Sequence, residues 1–458
     1  MINFNMHLFN YFDVFLVILY TTIIILLSKR HANKKIKDNP LYKYYTKAIA
    51  LKIGGALALS SIYLFYYKGG DTVDYMQTTI SLNNLIQQDL SRGLKLLFSS
   101  EVNGWVEYSY FNVETEYPER HIFRDPKSFA VSRYISPIAM LALNNFMTTA
   151  VLVSWITFYG IWRLFLLLAK LYPLAEKDLT LSILYIPSVL FWGSGIMKDT
   201  LTFSATCLSV VAFYSVFMER KNYIFHLFFL FVSVYMLISI KPYILYSLVP
   251  GSLIWFSFKK IKSIKNVVIR FSLTPIVLAG SLFGSSYMLG EMSESMGKFS
   301  VNNAVSSAQV IQKDLIRDQY GDNSFDIGEF DGSNSSLISK APVAINAALF
   351  RPYLIEARNP VMILSALENT LLLFLTLSLF IKIGFVRLLK YVRADPYLLF
   401  ALLFTVIFAF MVGLSTSNFG ALVRYKIPML PFFMSFLYVC RMYHKMEQSG
   451  IVLFQNRD

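Results

Sequence analysis

Ala48-Ile49-Ala50-Leu51-Lys52-Ile53-Gly54-Gly55-Ala56-Leu57-Ala58-Leu59-Ser60-Ser61-Ile62-Tyr63-Leu64-Phe65-Tyr66-Tyr67 is apolar and about as long as a helical membrane span. It runs directly into Lys68-Gly69-Gly70-Asp71-Thr72-Val73-Asp74-Tyr75. Two carboxylates therefore stand just past the end of a span, where charge is costly unless water, a partner or a substrate is near. The next stretch, 76–99, is amphipathic and too polar to cross a bilayer. An acidic motif between a span and a surface helix points to chemistry at the membrane face.

Composition extends that reading to the whole chain. Of 458 residues, 55% are hydrophobic, and mean hydropathy is +0.51. Repeated apolar runs of about 18 residues or more define an all-α polytopic integral membrane protein. The first run, Leu8 to Leu27, has no small-residue cleavage site, so we read it as a span and not as a signal peptide. Cys207 and Cys440 both lie in apolar context, which excludes a disulfide framework or a thiolate metal site. The five His are scattered and suggest no metal centre. A net charge of +14 is read as loop charge facing the cytoplasm, with no nucleic-acid partner.

Apolar patterning predicts about 11 transmembrane helices (10–13): 8–27, 48–67, 145–169, 179–196, 200–218, 223–240, 242–258, 267–289, 361–381, 396–414 and 421–440. The gap from Lys29 to Lys52 carries eight Lys and Arg and is assigned to the cytoplasm. With Lys52 and Arg270 counted, the inner segments sum to 24 basic and 7 acidic residues. The two long outer gaps, 68–128 and 291–360, sum to 12 basic and 18 acidic. This asymmetry places the N-terminus outside and the C-terminus in the cytoplasm. One integral membrane domain, 1–458, then carries an outer loop with amphipathic helices, 68–144, and a second long outer loop, 290–360.

Nine charges fall in or beside spans: Arg133, Arg163, Lys198, Lys241, Arg424, Lys426, Asp13, Asp199 and Glu368. Insertion of each costs ~2.5–3.5 kcal/mol. Arg163 sits near an inner end and can snorkel. Lys198, Lys241, Arg424 and Lys426 fall at outer ends, against the positive-inside bias, and suggest an anion to be held there. The segment Pro187-Ser188-Val189-Leu190-Phe191-Trp192-Gly193-Ser194-Gly195-Ile196-Met197-Lys198-Asp199 closes one span and opens the next. Its glycines permit tight turns and close backbone approach. Asp199 with Thr200 can cap the following helix, which sets Lys198 beside a helix N-terminus. A simple hairpin turn with Lys198 paired to Asp199 is the competing reading. In Ser417-Asn418-Phe419-Gly420-Ala421-Leu422-Val423-Arg424-Tyr425-Lys426-Ile427-Pro428, Arg424 and Lys426 mark another outer entrance, with Pro428 and Pro431 bending or delaying the helix.

The gap 291–360 is too long for a plain connection. It has helical character over 295–320, turn-rich sequence over 321–336, a sequon at Asn334-Ser335-Ser336, and an apolar stretch from Pro342 to Leu354. Arg351, Glu356 and Arg358 close it, as an interfacial salt network or as ligand contacts. Glu368 follows in the next span.

Asp71-Thr72-Val73-Asp74-Tyr75 after a span, followed by amphipathic outer helices, resembles the first outer loop of the GT-C glycosyltransferase superfamily. Segments 191–198, 349–360 and 418–431 also resemble bacterial membrane proteins of exopolysaccharide loci. Here the acidic loop follows the second span, through an added N-terminal helix. The resemblance implies a transferase of the bacterial inner membrane using a polyprenyl-phosphate-linked sugar and a glycan acceptor, among membrane lipids and other polysaccharide-synthesis proteins. It implies Asp71 or Asp74 as the catalytic base. The long late loop with arginines resembles O-antigen polymerases and ligases, a second reading. A lipid-linked sugar transporter or flippase is a third, disfavoured because the charges gather at one face.

Transfer from a polyprenyl phosphate requires a base for the acceptor hydroxyl and cations for the leaving phosphate. Lys198, Lys241, Arg351, Arg424 and Lys426 are the candidate phosphate contacts. Asp199, Glu356, Arg358, Glu368 and Tyr75 are further site candidates. The sequence fixes no cofactor; a divalent cation is compatible with the paired carboxylates. Tyr75, Trp105, Tyr108, Tyr110 and Tyr134 suit sugar stacking or an interfacial belt.

Overall fold

A computed structural model describes residues 11–99, 104–220, 222–262, 280, 325, 328, 334–358 and 360–451. All regular structure among them is helical. Seven helices are long and apolar enough to cross a membrane: Tyr11–Lys35, Pro40–Tyr66, Phe146–Leu171, Lys198–Glu219, Tyr223–Ile240, Met362–Ile383 and Pro396–Ser415. Each overlaps a span expected from the sequence. Apart from residue 280, the expected span 267–289 lies outside the described residues, as does most of the loop 290–360.

Two expected spans are interrupted. Segment 179–196 forms α9, Glu176–Leu184, then α10, Pro187–Trp192, with irregular backbone on to Met197. Pro187 disfavours helical backbone at the residue before it, and Ile186 is extended. Segment 421–440 divides into α18, Phe419–Tyr425, and α19, Leu430–Gln448, separated around Pro428. The stretch 242–258 belongs to α13, Pro242–Lys262.

The described chain divides into two compact units. The first comprises Met1–Leu167, Leu184–Ala212 and Leu227–Pro242. In it α1, Tyr11–Lys35, packs on α2, Tyr45–Ser61, and α10 also packs on α2. A Cβ on Gly55 would sit 1.9 Å from the Leu190 carbonyl oxygen. Only glycine allows that approach, the usual device for close helix packing in lipid.

After α2 the chain folds into a cap of short helices: α3, Asp71–Gln88; α4, Leu90–Phe98; α5, Trp105–Tyr108; α6, Arg120–Arg124; and α7, Pro126–Leu141. These bury their own core of Leu82, Leu85, Leu96, Phe111, Phe123 and Phe129. Polar bonds register α3 on α7. Ser132 Oγ donates to the Tyr75 carbonyl at 3.1 Å, and Ser136 Oγ to Asn83 Oδ1 at 2.5 Å. The amphipathic reading of 76–99 is realised as the α3–α4 hairpin. Helices α8, Phe146–Leu171, α11, Lys198–Tyr214, and α12, Tyr223–Ile240, supply most of the remaining frame.

The second unit comprises Leu168–Ile183, Phe213–His226 and Tyr243–Asp458. Here α14, Asn334–Phe350, packs on α17, Pro396–Ser415, and α17 packs on α19. Trp255, Tyr397, Phe400, Phe404 and Phe432 pack ring against ring through its core. Asp395 caps α17 and accepts hydroxyls from Tyr172 at 2.8 Å and Tyr443 at 2.6 Å. That carboxylate is saturated by its own fold. Helices α15, Pro360–Ile383, and α16, Phe385–Ala394, complete the described part of the unit.

Candidate functional site

The acidic motif owes its placement to the turn before it. Gly70 is the N-cap of α3 with φ +102°, a conformation that favours glycine. Its carbonyl accepts the amides of Val73 and Asp74 at 2.9 and 3.1 Å. Asp71 is therefore the first helical residue and not the cap. Asp71, Asp74 and Gln77 form a half-exposed stripe at i, i+3, i+6, whose carboxylates are favoured by the N-terminal dipole. Tyr75 points the other way: it is 4% exposed and part of the core, which removes its ring from the candidate sugar contacts.

His121, from the far end of the cap, meets this stripe, and Asp125 and Ser128 hold Lys198 beside it. Asp74 Oδ2 is 3.4 Å from Nε2 of His121, a residue of α6. Burial raises the Asp74 carboxyl to about 6; Glu119 and Asp71 add to the rise, and His121 opposes it. Asp125, the N-cap of α7, accepts from Lys198 Nζ at 3.3 Å. Lys198 Nζ also donates to Ser128 Oγ at 2.7 Å. Burial pushes the Asp125 carboxyl up, but Lys198, Ser128 and the Lys127 amide outweigh it and hold it below the ordinary value. Burial draws the Lys127 ammonium down to about 8, with Asp125 opposing and Lys198 adding to the fall.

Lys198 is the first residue of α11 and lies within electrostatic reach of both Asp71 and Lys241. Its ion partner is Asp125, which replaces the expected turn pairing with Asp199. Asp199 is instead fully buried and accepts from Lys241 Nζ at 2.5 Å. One group of titratable side chains thus runs through His121, Asp74, Asp71, Lys198 and Asp125, with Lys241–Asp199 behind it.

The loop that presents Lys198 is anchored from below. Lys52 was assigned to a cytoplasmic gap, but it lies within the Pro40–Tyr66 helix and is 3% exposed. Its Nζ donates to the Gly193 carbonyl at 2.5 Å. A buried cation thereby satisfies the end of α10, where irregular backbone would otherwise leave an unbonded oxygen. The glycines at 193 and 195 serve this fold; Gly195 has φ +74°.

In the second unit Arg351 and Lys426 are engaged in the fold. Arg351 Nε donates to Glu356 Oε1 at 3.0 Å, and its guanidinium lies 4.5 Å from the Phe325 ring centre. Tyr353 N donates to Glu356 Oε2 at 2.8 Å, closing the turn. Lys426 is fully buried, donates to Asn369 Oδ1, and lies within electrostatic reach of Glu368. Asn369 Nδ2 in turn donates to the Pro352 carbonyl at 3.3 Å. Arg424 lies half-buried in the last turn of α18, and Arg358 is exposed. Asp71, Asp74, Lys198, Lys241 and Asp199 belong to the first unit, whereas Arg351, Glu356, Arg358, Glu368, Arg424 and Lys426 belong to the second.

His121, Glu119, Asp125, Lys127 and Ser128 were not among the sequence candidates. The available signal was Asp125-Pro126, an N-cap followed by proline at the first helical position. Among the described residues, no three of His, Cys, Asp and Glu converge as a metal-holding group. No family model matches the chain, and no curated protein or solved structure matches it either.

Proposed function

We propose that the chain is a membrane glycosyltransferase of the GT-C type. It transfers a sugar or glycan from a polyprenyl-phosphate-linked donor to an acceptor at the outer face of the bacterial inner membrane. The product serves cell-surface polysaccharide or glycoconjugate synthesis. Asp74 carries this reading: it is half-exposed, shifted to about 6, and grouped with His121, Asp71 and Lys198 on one unit. A base tuned near neutrality suits abstraction of an acceptor proton. Lys198, at a helix start, suits the leaving phosphate. On this reading the chain has about 11 spans, an outside N-terminus and a cytoplasmic C-terminus, and residues 68–144 lie outside.

Lipid-linked oligosaccharides from a deletion strain, analysed by mass, test the proposal. A single truncated species that disappears on complementation supports one-sugar transfer. A ladder of lengths favours the polymerase or ligase reading, and no change in lipid-linked glycans overturns both.

A further inference from the structure

The opposite end of the first unit holds a second polar site. A cavity of about 390 Å³ opens between the ends of α1 and α2 and the side of α8. Leu27, Ser28, Arg30, His31 and Lys34 line it from α1, Tyr45 from α2 and Trp155 from α8. Three of these seven side chains are basic or can become so, and the lining contains no carboxylate.

Ser28 makes this more than a charged surface. It is only 3% exposed, yet its Oγ has no hydrogen-bond partner among the described residues. A buried hydroxyl left unsatisfied costs about 1–3 kcal/mol, so such groups usually meet a partner. His31 is fixed beside the cavity by two rings, with centroids 5.5 Å from Tyr42 and 5.3 Å from Tyr45. Below it, α1 exposes Ile23, Leu26 and Leu27. The site therefore combines cations, a waiting donor, and an apolar stripe continuing into the bilayer.

We propose that this cavity binds the headgroup phosphate of an anionic membrane lipid, whose acyl chains run along the exposed face of α1. Basic pockets between helices at a membrane interface favour anionic headgroups. The cavity volume suits a headgroup, and the apolar stripe distinguishes a lipid from free phosphate. The site is separate from the acidic group and does not depend on the transferase reading.

The full chain, delipidated in detergent, can be titrated with phosphatidylglycerol, phosphatidylcholine or inorganic phosphate and followed by native mass spectrometry. Phosphatidylglycerol should bind roughly tenfold more tightly than phosphatidylcholine. Arg30→Gln with Lys34→Gln should remove that preference, and Ser28→Ala should weaken binding about threefold. Lys29→Gln with Lys35→Gln makes the same charge change at α1 positions outside the cavity lining and should leave the preference intact. Equal binding of the two lipids, equal loss in the control pair, or saturation by millimolar inorganic phosphate alone would each overturn the proposal.

Discussion

Asp74 and His121, 47 residues apart in sequence, meet with Oδ2 and Nε2 3.4 Å apart. The contact exists because α6 folds back onto the start of α3 over a shared core that includes Leu82, Phe111 and Phe123. It joins a carboxylate raised by burial to an imidazole that counters the rise.

The first prediction is a pH dependence. As a general base, Asp74 should give transfer activity an acid limb near pH 6, rising as the carboxylate ionises. His121→Ala removes the group that opposes the shift, so the limb should move to higher pH. Asp74→Asn should reduce transfer by roughly 10²-fold or more above the limb, with the difference shrinking as pH falls below it. Stability should move the opposite way. The folded value lies above the ordinary 3.8, so Asp74 stabilises the fold at low pH, and that contribution is lost as pH rises towards and through about 6. Melting curves should therefore show Asp74→Asn gaining on the parent between about pH 4 and 6. Parallel curves and an unshifted limb would remove Asp74 from the base role.

The second prediction separates phosphate contact from ion pairing at Lys198. Lys198→Met should weaken binding of a polyprenyl-phosphate sugar by roughly 10- to 100-fold, the loss of one charge-assisted contact. Asp125→Asn removes the ion partner but retains an N-cap side chain, so binding should hold or tighten. A binding isotherm unchanged in Lys198→Met would assign Lys198 to the fold.

Much of this arrangement is local and therefore legible. Two glycines before Asp71 announce the turn, and the three-residue spacing of Asp71 and Asp74 announces a shared helical face. The same spacing excludes Tyr75 from that face, a consequence of helical periodicity that the sugar-stacking assignment overlooked. Lys52 falls inside the expected span 48–67 yet was also counted with the basic gap before it, because a cation near a span end reads as loop charge. Its partner is a main-chain carbonyl, which leaves no mark on side-chain pattern. His121 and Asp125 reach the site through the cap's long-range fold, and one sequence offers no cue to that contact. Pro187 did signal the break in the expected span 179–196, but apolar composition outweighed it.

A third prediction concerns the buried pair Lys241–Asp199, with side chains 7% and 0% exposed. Lys241→Met alone should destabilise the fold by about 3–5 kcal/mol, because it takes a cation away from a fully buried carboxylate. Lys241→Met combined with Asp199→Leu should recover most of that loss. Thermal unfolding in detergent reads both variants. Additive losses would contradict mutual neutralisation as the role of the pair.

The last prediction tests the side on which the acidic group works. The only cysteines, Cys207 and Cys440, are both buried, so background labelling should be low and an introduced thiol can report its own exposure. Val113 is 86% exposed in the loop between α5 and α6, and Val113→Cys samples the face carrying Asp74 and His121. Val386→Cys, 79% exposed on α16, samples the basic segment assigned to the cytoplasm. In intact cells stripped of the outer membrane, an impermeant maleimide should label position 113 at once and position 386 only after lysis. Simultaneous labelling of both would break the alternation on which the charge count rests. Labelling of 386 but not 113 would invert the topology and place the acidic group in the cytoplasm, where a nucleotide-activated sugar could replace the lipid-linked donor.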